Sequence, residues 1–485
     1  MKKLLIYLFV VYMGQTVYGQ VTFQDAYNDF KQQAQSEYDD FRRKANQEYA
    51  EWMKQAWEWH KRIDPVLSPK DDMLPPIIYN KDKERGEPKP LPYEDIVPVP
   101  EPQPQPVPIA PIREDDGDYQ MASFTFFGTR GQVRIPKDGV FKLKGKDIDA
   151  YAYAWEELST ERYDNLIRDC LIIRMEHQLC DWAYLMMLGD MSDAICGKGT
   201  NEATMLQAYV FCQTGYKIRL GFTKNKDLRI LFKSEHLIFD LAGFEMEDGI
   251  FYLLQPINDD GLNICDISYP EERPLSLWIA QEQLFTERTS KEKLLIPEDS
   301  LIAINVQSNE NLIDFYSTYP TSMIGEDIVS RWAMYANTPL SISVKKKLYP
   351  QLTQILEQLD SVTMAADWLL YWVQTAFVYE YDDKVWGRDR AFFAEETLYY
   401  PYCDCEDRSI LFSRLVRDLL GLDVVLVFYP GHLATAVAFN TPVDGDYIDI
   451  GGKRYTICDP TYIGAPIGET MPDMDNQTAK VIRLQ

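Results

Sequence analysis

The hydrophobic and polar positions along the chain change period several times, and each period predicts a different kind of element. Residues 147–188 and the stretch from Ser341 to about Tyr381 place apolar residues at helical spacing. The later runs DVVLVFY, HLATAVAF and RYTICDPTY are rich in the β-branched and aromatic residues that are typical of strands. Residues 326–485 are therefore predicted to form an α+β domain, in which helices pack on an antiparallel sheet.

A repeat near the start of the chain predicts a long helix over residues 20–64. Its rows begin at Phe30, Phe41 and Trp52, and alanine occupies the fifth position of every row. A period of eleven residues gives a nearly straight, coiled-coil-like stripe with slight right-handed supercoiling. Two interpretations are open: residues 21–62 join copies of the chain into a homo-oligomer, or the helix lies on its own domain.

The next segments differ in composition. Residues 65–115 hold half of the 28 prolines and are predicted to be a proline-rich linker that acts as an extended spacer. In residues 118–256 the run SFTFFGTRGQVRI predicts a hairpin, and helices and further strands follow it. Residues 257–325 contain several strand-forming runs, among them LIDFYS, and are predicted to be a β-rich region.

The first twenty residues, MKKLLIYLFVVYMGQTVYGQ, predict export. Two lysines, a short apolar run and a small-residue cleavage site form a signal peptide over residues 1–19. No other run is apolar and long enough to cross a membrane, so no transmembrane anchor is expected after cleavage, and a periplasmic or secreted location follows. The net charge of -26 argues against nucleic acid as a partner.

The stretch YCDCEDRSILFSRLVRDLLG carries the candidate chemistry. Cys403 and Cys405 lie at the start of a predicted helix, where a metal clip, a disulfide and a nucleophile are all to be considered. Unpaired N–H groups and the helix dipole favour a thiolate there. His432 follows on a predicted strand and Asp459 on another, each 27 residues further along the chain. A thiol, a base and a carboxylate in this order are the parts of a Cys-His-Asp triad.

These motifs resemble the transglutaminase-like (papain-like) superfamily, and most closely its bacterial periplasmic cysteine proteinases. The resemblance covers about residues 365–462 and depends on WLLYWVQTAFVYEYDDKVWGRDRAFFAEETL, DCEDRSILF, GHLATAVAF and YTICDPTY. It implies that Cys405 is the nucleophile, His432 the base and Asp459 the orienting carboxylate. The family usually has glycine where this chain has Cys403, which could instead form a regulatory disulfide with Cys405.

The resemblance also implies a function. We expect an exported cysteine hydrolase or acyltransferase that acts on amide bonds of a protein or peptide through a thioester, with water or an amine as the acceptor. No cofactor is expected except calcium, which some relatives bind through the acids that match Asp404 and Glu406. Helix-dipole stabilisation is the other interpretation of these two acids. The alternative function is a non-catalytic periplasmic binding or assembly protein with a pseudo-enzyme domain.

Residues 118–256 repeat the order helix, glycine, apolar strand. Counting back from Gly215 and Gly421 sets Gly199 at the position of Cys405, and His236 faces His432 in the same comparison. Gln255 falls at the place of Asp459. The segment is therefore interpreted as a degenerate, non-catalytic transglutaminase-like copy, although a helix–glycine–strand unit is common enough to recur by chance.

Overall fold

The computed structural model describes residues 23–66, 68, 74–82, 85–105, 108 and 112–485, and it is a mixed α+β structure. The signal peptide predicted for residues 1–19 lies outside the described residues. The helices of the described chain are α1 (Phe23–Met53), α2 (Ile148–Leu158), α3 (Asp164–Glu176), α4 (Asp181–Cys196), α5 (Asn201–Gln213), α6 (Glu310–Tyr316), α7 (Arg331–Asn337), α8 (Ile342–Leu356), α9 (Val362–Thr375), α10 (Asp382–Val385), α11 (Ala394–Tyr399) and α12 (Cys405–Leu420).

The strands belong to two large sheets and to several two-stranded pairs. The strands are β1 (Trp57–Lys61), β2 (Ile77–Ile78), β3 (Tyr93–Val97), β4 (Tyr119–Phe126), β5 (Thr129–Pro136), β6 (Ile218–Phe222), β7 (Leu228–Phe232), β8 (Leu237–Ile238), β9 (Gly243–Met246), β10 (Gly249–Leu253), β11 (Gly261–Cys265), β12 (Lys293–Leu295), β13 (Ile304–Val306), β14 (Ser322–Met323), β15 (Val378–Tyr379), β16 (Tyr402–Cys403), β17 (Asp423–Tyr429), β18 (His432–Ala438), β19 (Tyr447–Ile450), β20 (Lys453–Cys458), β21 (Tyr462–Ile463) and β22 (Ala479–Arg483).

The two six-stranded sheets have the same strand order. The first runs β1-β11-β6-β7-β10-β9 and the second runs β3-β22-β17-β18-β20-β19. In both, two consecutive antiparallel strands follow a helix, α5 or α12, and the next two strands extend the sheet on one side. On the other side, the last strand of each sheet pairs with a strand from the N-terminal part of the chain. That outermost pair is antiparallel in the first sheet and parallel in the second.

One hydrophobic cluster joins the two halves of the molecule. It contains residues of α1 and α5 from the first half together with residues of α9, α12 and β18 from the second. Helix α12 packs against α9 on one side and against β17 and β18 on the other. Its buried apolar positions, which include Leu411 and Leu415, recur at helical spacing, as the sequence pattern predicts. The helix is thereby held against the two strands that follow it.

The N-terminal helix is shorter than predicted. α1 ends at Met53, and Trp57–Lys61, which belong to the predicted last row of the repeat, form strand β1 paired with β11. Its buried residues pack on its own chain, where Arg42 binds Asp164 and Asn46 accepts a hydrogen bond from Trp155 Nε1 at 3.0 Å. Pairing with a strand two hundred residues away is a tertiary effect that the local repeat does not reveal.

The proline-rich segment does not run free of the domains. Residues 93–97 form the outermost strand of the second sheet, and residues 77–78 pair with β21 beside it. Because proline lacks an N–H group, such a segment is suited to the edge of a sheet. The prediction of an extended backbone is correct here, whereas the prediction of a spacer is not.

The region between the two sheets contains less strand than predicted. Short strands β12, β13 and β14 are present, but the run LIDFYS lies in helix α6. Asn309 starts this helix, because its side chain accepts a hydrogen bond from the backbone N–H of Asn311. The hairpin of β4 and β5 is confirmed, with Phe127 and Gly128 at positive φ in its two-residue turn. Among the described residues, none of the helices combines the length and apolar character needed to span a membrane.

Candidate active site

The start of α12 is fixed by two of the acids in the motif Asp-Cys-Glu-Asp. Asp404 precedes the helix and its side chain accepts the backbone N–H of Asp407, while Asp407 Oδ2 accepts the backbone N–H of Asp404 at 3.2 Å. Asp407 Oδ1 also accepts the N–H of Phe392 at 2.9 Å. This capping box sets Cys405 as the first residue of the helix, with its side chain directed toward strand β18.

His432 and Asp459 meet as the sequence predicts. His432 opens β18 and Asp459 follows the end of the neighbouring strand β20, and Nε2 of the imidazole donates to Asp459 Oδ2 at 2.8 Å. The other carboxylate oxygen accepts the backbone N–H groups of Thr461 at 2.8 Å and Tyr462 at 3.2 Å. Both side chains are buried. The carboxylate is therefore fixed in orientation, and it fixes the tautomer that leaves Nδ1 of His432 without a hydrogen.

The thiol of Cys405 lies at the same strand but is not hydrogen-bonded to the imidazole. Its Sγ donates to Glu406 Oε2 at 3.3 Å, and the backbone N–H of Leu433, the residue after His432, donates toward the sulfur. Within the described part of the chain, Nδ1 of His432 has no hydrogen-bond partner. His432 and Asp459 are thus hydrogen-bonded to each other, whereas no hydrogen bond joins the thiol of Cys405 to His432.

The electrostatics of the thiol differ from the expectation. Burial raises the pKa of Cys405 well above its ordinary value, and the carboxylates of Glu406 and Asp404 raise it further. The sulfur is fully buried, so loss of hydration outweighs the stabilising field of the helix N-terminus. Burial and the two neighbouring carboxylates therefore oppose the thiolate that the helix N-terminus favours.

Glu406 belongs to a group of three carboxylates. Oxygen atoms of Asp382, Asp389 and Glu406 all lie within 4.8 Å of one another. Burial and the charge of Glu406 raise the pKa of Asp382 to about 8. One cation balances the group, because Arg331 Nη1 donates to Asp389 Oδ2 at 2.8 Å. The same nitrogen donates to Ser68 Oγ at 2.7 Å.

The two acids proposed as calcium ligands have different surroundings. Glu406 lies among oxygen donors of the hard type that Ca²⁺ and Mg²⁺ prefer. Asp404 instead uses its carboxylate in the capping box, although its buried Oδ1 has no hydrogen-bond partner among the described residues. The residues that fit a cation are thus Asp382, Asp389 and Glu406, with the Arg331 guanidinium already supplying one positive charge to them.

Gln374 holds the loop that carries Asp459. Its Nε2 donates to the backbone oxygens of Asp459 at 2.9 Å and Ala465 at 3.0 Å, and its Oε1 accepts the N–H of Gly464 at 3.0 Å. Both amide hydrogens are used, so this side chain positions the loop. Trp386 packs its ring against Phe392 and the guanidinium of Arg390.

The remaining cysteines are free thiols. Cys403 forms part of the short strand β16 and its Sγ faces the backbone oxygen of Val378 at 3.9 Å. Cys458, at the end of β20, is buried and its pKa is raised by burial. No bridge joins Cys403 or Cys458 to Cys405 in this structure, so the sulfur of Cys405 is a free thiol.

The corresponding corner of the first sheet has no such groups. Helix α5 begins at Asn201, whose Oδ1 accepts the backbone N–H of Leu228 at 2.9 Å at the start of β7. His236 lies beyond β7, outside the six-stranded sheet, and its Nε2 accepts the N–H of Leu277 at 3.2 Å. The predicted alignment of Gly199 with Cys405 is therefore wrong, because Asn201 begins the corresponding helix. The alignment of His236 with His432 is also wrong, because His236 does not lie on the corresponding strand β7. Burial alone lowers the pKa of His236 to about 3.

Sequence reasoning missed four residues near the thiol. Tyr379 follows α9, Asp382 and Asp389 lie between α9 and α11, and Arg331 comes from α7, far away in the chain. Burial and then the charges of Cys405 and Asp404 raise the pKa of the Tyr379 hydroxyl. The dense acids and aromatics of VYEYDDKVWGRD were a usable signal for three of these residues, but nothing in the sequence indicates Arg331.

Comparison with known proteins adds no further assignment. No family model, curated protein or solved structure matches the chain.

Proposed function

We propose that the second half of the chain is a cysteine hydrolase or acyltransferase that acts on amide bonds of proteins or peptides. The observation that carries this proposal is the His432–Asp459 pair, in which a fixed carboxylate leaves Nδ1 of a buried imidazole unpartnered beside the helix that begins with Cys405. A buried nitrogen without a hydrogen bond is unfavourable unless it has a task. Accepting the proton of a thiol is such a task.

The reaction begins when the thiol turns from Glu406 to the imidazole. Nδ1 of His432 takes the thiol proton, and the sulfur attacks the amide carbonyl to form a tetrahedral intermediate. His432 returns the proton to the leaving nitrogen, and a thioester with Cys405 forms. Asp459 stabilises the imidazolium and keeps the ring in place. Water or an amine, activated in turn by His432, then releases the acyl group.

The experiment uses a glutamine-containing peptide with and without a fluorescent amine. Ammonia release without incorporation of the amine identifies hydrolysis, and incorporation identifies acyl transfer. Cys405→Ser abolishes both, whereas the matched variant Cys403→Ser retains a sizeable fraction of the rate. Inactivation by the Cys403 substitution alone would overturn the assignment of the nucleophile.

The second candidate is a non-catalytic binding or assembly protein. The observation that favours it is the buried thiol, which donates to Glu406 and has a raised pKa. A thiol that never reaches His432 is a structural residue. If mass spectrometry finds no acyl-enzyme and no turnover with any peptide after prolonged incubation, while the chain remains folded, this candidate replaces the enzyme.

Two further properties belong to the same proposal. Export to a periplasm or to the exterior follows from the leader sequence and is tested by cell fractionation. Calcium binding would involve Asp382, Asp389 and Glu406, and terbium luminescence excited through the nearby Trp386 tests it directly. Asp389→Asn should weaken that signal, whereas Asp383→Asn, at the exposed acid that follows Asp382 in helix α10, is the matched control.

Residues 118–256 are proposed to be a non-catalytic copy of the second half, as the shared strand order supports. A homo-oligomer through α1 would have to use its outward face. Phe41 and Trp52 are exposed there, by 47% and 61%, although the opposite face is buried on the chain itself. Replacing both by glutamine should reduce the mass measured by light scattering if this face joins copies.

A further inference from the structure

A short extended segment crosses the candidate active site. The strap, residues 74–79 with the sequence Leu-Pro-Pro-Ile-Ile-Tyr, lies next to β21, the strand that follows Asp459. Ile77 pairs with Tyr462 and Ile78 with Ile463 in parallel register, and the N–H of Tyr79 donates to the oxygen of Ile463 at 2.8 Å. The strap thus adds a strand to the edge beside the Asp459 loop.

The backbone of Leu74 is held at two points that adjoin the catalytic residues. Its N–H donates to the oxygen of Gly431, the residue before His432, at 2.9 Å. Its carbonyl oxygen accepts the hydroxyl of Tyr379 at 3.4 Å, and burial, followed by the charge of Cys405, raises the pKa of that hydroxyl. A single residue of the strap therefore hydrogen-bonds to the residue before His432 and to Tyr379.

The side chains of the strap alternate between the domain and solvent. Leu74, Ile77 and Tyr79 pack on an apolar cluster that includes Tyr429 and Ala434 of the central strands. The ring of Tyr79 meets that of Tyr462 edge to face at 5.4 Å between centroids. Ile78 points away and is 79% exposed. This alternation is the manner in which a peptide ligand binds as an added strand.

The site is closed in this structure. Cys405, His432 and Asp459 are all buried, although a thiol that attacks an amide must be reached by that amide. Pro75 and Pro76 have no N–H groups, so the strap can lie extended here without further donors to satisfy. The groups of the domain that hydrogen-bond to the strap are backbone groups and one hydroxyl. Such hydrogen bonds recognise a main chain and not a particular sequence.

We propose that the strap occupies the groove in which an extended peptide substrate binds, and that release of the strap opens the active site. The inference rests on the proposed function and names its substrate class: an extended segment with an aliphatic side chain at the position of Ile77 and an aromatic one at that of Tyr79. In the released state, Gly431 O, the Tyr379 hydroxyl and the edge of β21 bind the substrate main chain.

The first test measures how fast iodoacetamide labels Cys405 in the full-length protein, with the site identified by peptide mass spectrometry. Ile77→Asp places a charge in the apolar cluster and should raise the labelling rate at least about tenfold by populating the open state. Ile78→Asp makes the same change on the exposed side and should keep the parent rate. Equal rates in the parent and in Ile77→Asp overturn the proposal.

A milder variant guards against misfolding. Tyr79→Ala removes only the ring contact with Tyr462 and should raise the labelling rate in the same direction, with an unchanged circular dichroism spectrum. If Ile77→Asp labels faster at every cysteine, the protein has unfolded, and the Tyr79→Ala result decides. A parent-like labelling rate in Tyr79→Ala would then contradict the strap as the cover of Cys405.

The second test supplies the strap as a separate molecule. A synthetic peptide of residues 74–80, added to Ile77→Asp, should bind the vacated groove and return Cys405 to slow labelling, whereas a peptide of reversed sequence should not. Neither measurement needs turnover. If labelling and peptide binding behave as expected but no amide is cleaved, the groove stands and the proposed enzyme fails. If the parent turns over peptides as fast as the variants do, the enzyme stands and the strap proposal fails.

Discussion

In the first sheet, helix α5 begins with Asn201 and meets Leu228 at the start of the second strand. In the other sheet, helix α12 begins with Cys405 and meets His432 and Leu433 at the corresponding place. The strand order around both corners is the same. The amide of Asn201 holds its helix to its strand and offers no nucleophile, whereas the other corner brings a thiol near an oriented base. The comparison shows that two corners with the same strand order can carry side chains of different chemical character.

The two corners also differ in buried charge. Around α12 lie the buried carboxyl groups of Asp404, Glu406 and Asp407, with Asp382 beside them. The first turn of α5 carries one acid, Glu202, which accepts the N–H of Leu143. Burying several carboxyl groups together is costly, because each raises the pKa of its neighbours. In the second half of the molecule, this unfavourable burial of carboxyl groups occurs close to the thiol of Cys405.

The largest expected difference between the halves is catalytic. His432→Gln should lower any amidase or transamidase rate by a factor of about a thousand or more, since a triad loses most of its rate with one member. The same change at His236, which keeps an acceptor for the N–H of Leu277, should leave the rate within about threefold. Steady-state assays of both variants measure this, and equal losses would mean that the first half takes part in catalysis.

Next comes the pH dependence of stability, which we expect to arise largely in the second half. Burial raises the pKa of Glu395 to about 7, and its partners are the neutral N–H and hydroxyl of Ser341. The folded state holds this proton more tightly than the unfolded chain, so stability is full below the ordinary pKa near 4.5 and is lost as the pH rises to about 7.

Glu395→Gln should remove that loss and stabilise the protein at pH 8 by up to roughly 3 kcal/mol, with little gain at pH 4. Urea unfolding at the two pH values measures it. Glu396→Gln is the informative counterpart, because it leaves the partly buried Arg390 without its carboxylate and should destabilise instead. An equal gain in stability at both pH values would contradict the assignment of a bound proton to Glu395 in the folded state.

A third difference concerns how much the first residue of each helix, Asn201 in α5 and Cys405 in α12, contributes to the stability of the fold. Asn201→Ala removes one buried and one partly buried hydrogen bond, to Leu228 N and Lys226 O, and should cost about 1–3 kcal/mol of stability. Cys405→Ala removes two weak hydrogen bonds of the sulfur, to Glu406 and from the N–H of Leu433, and should cost about 1 kcal/mol or less, because sulfur is a weak donor and acceptor. Denaturant midpoints compare the two. Similar losses would show that Cys405 is held for packing.

The smallest effect concerns the acid next to the thiol. Glu406→Gln removes a charge that raises the pKa of Cys405, so the thiolate should form at lower pH. The pH profile of iodoacetamide labelling should shift downward by on the order of one pH unit, which is a tenfold faster rate at a fixed intermediate pH. Glu202→Gln, at the same helix position in the first half, is the control and should not move the profile.

Much of the second half was predictable because its signals are local. β17 and β18 are runs of β-branched residues joined by Pro430 and Gly431, so their pairing and the position of His432 follow from the sequence. Asp459 follows the next strand but one, which brings it beside His432. Gly421 ends α12 in the left-handed conformation, as its place after a helical pattern predicts.

What could not be predicted depends on distant partners. The hydrogen bond from Cys405 to Glu406 reflects a group that also draws on Arg331, which the sequence does not connect with the motif. Helix α1 ends where it does because residues 57–61 pair with β11. Part of the proline-rich segment forms a strand because it pairs with β22 at the edge of the second sheet. His236 was misaligned because the stretch EHLIFDLAGF, which resembles the sequence around His432, begins after the end of β7, the strand that corresponds to β18.

The outermost strands of the two sheets have a consequence for the order of folding. β1 and β3 come early in the chain, yet their partners are β11 and β22, and Tyr93 pairs with Ala479. Neither sheet can be completed until the later strand has been made, and closing such long loops is slow. During synthesis the early segment therefore stays unpaired until its partner strand emerges. Acquisition of the last strand, and not the formation of α12, should then be the step at which the protein becomes resistant to proteases.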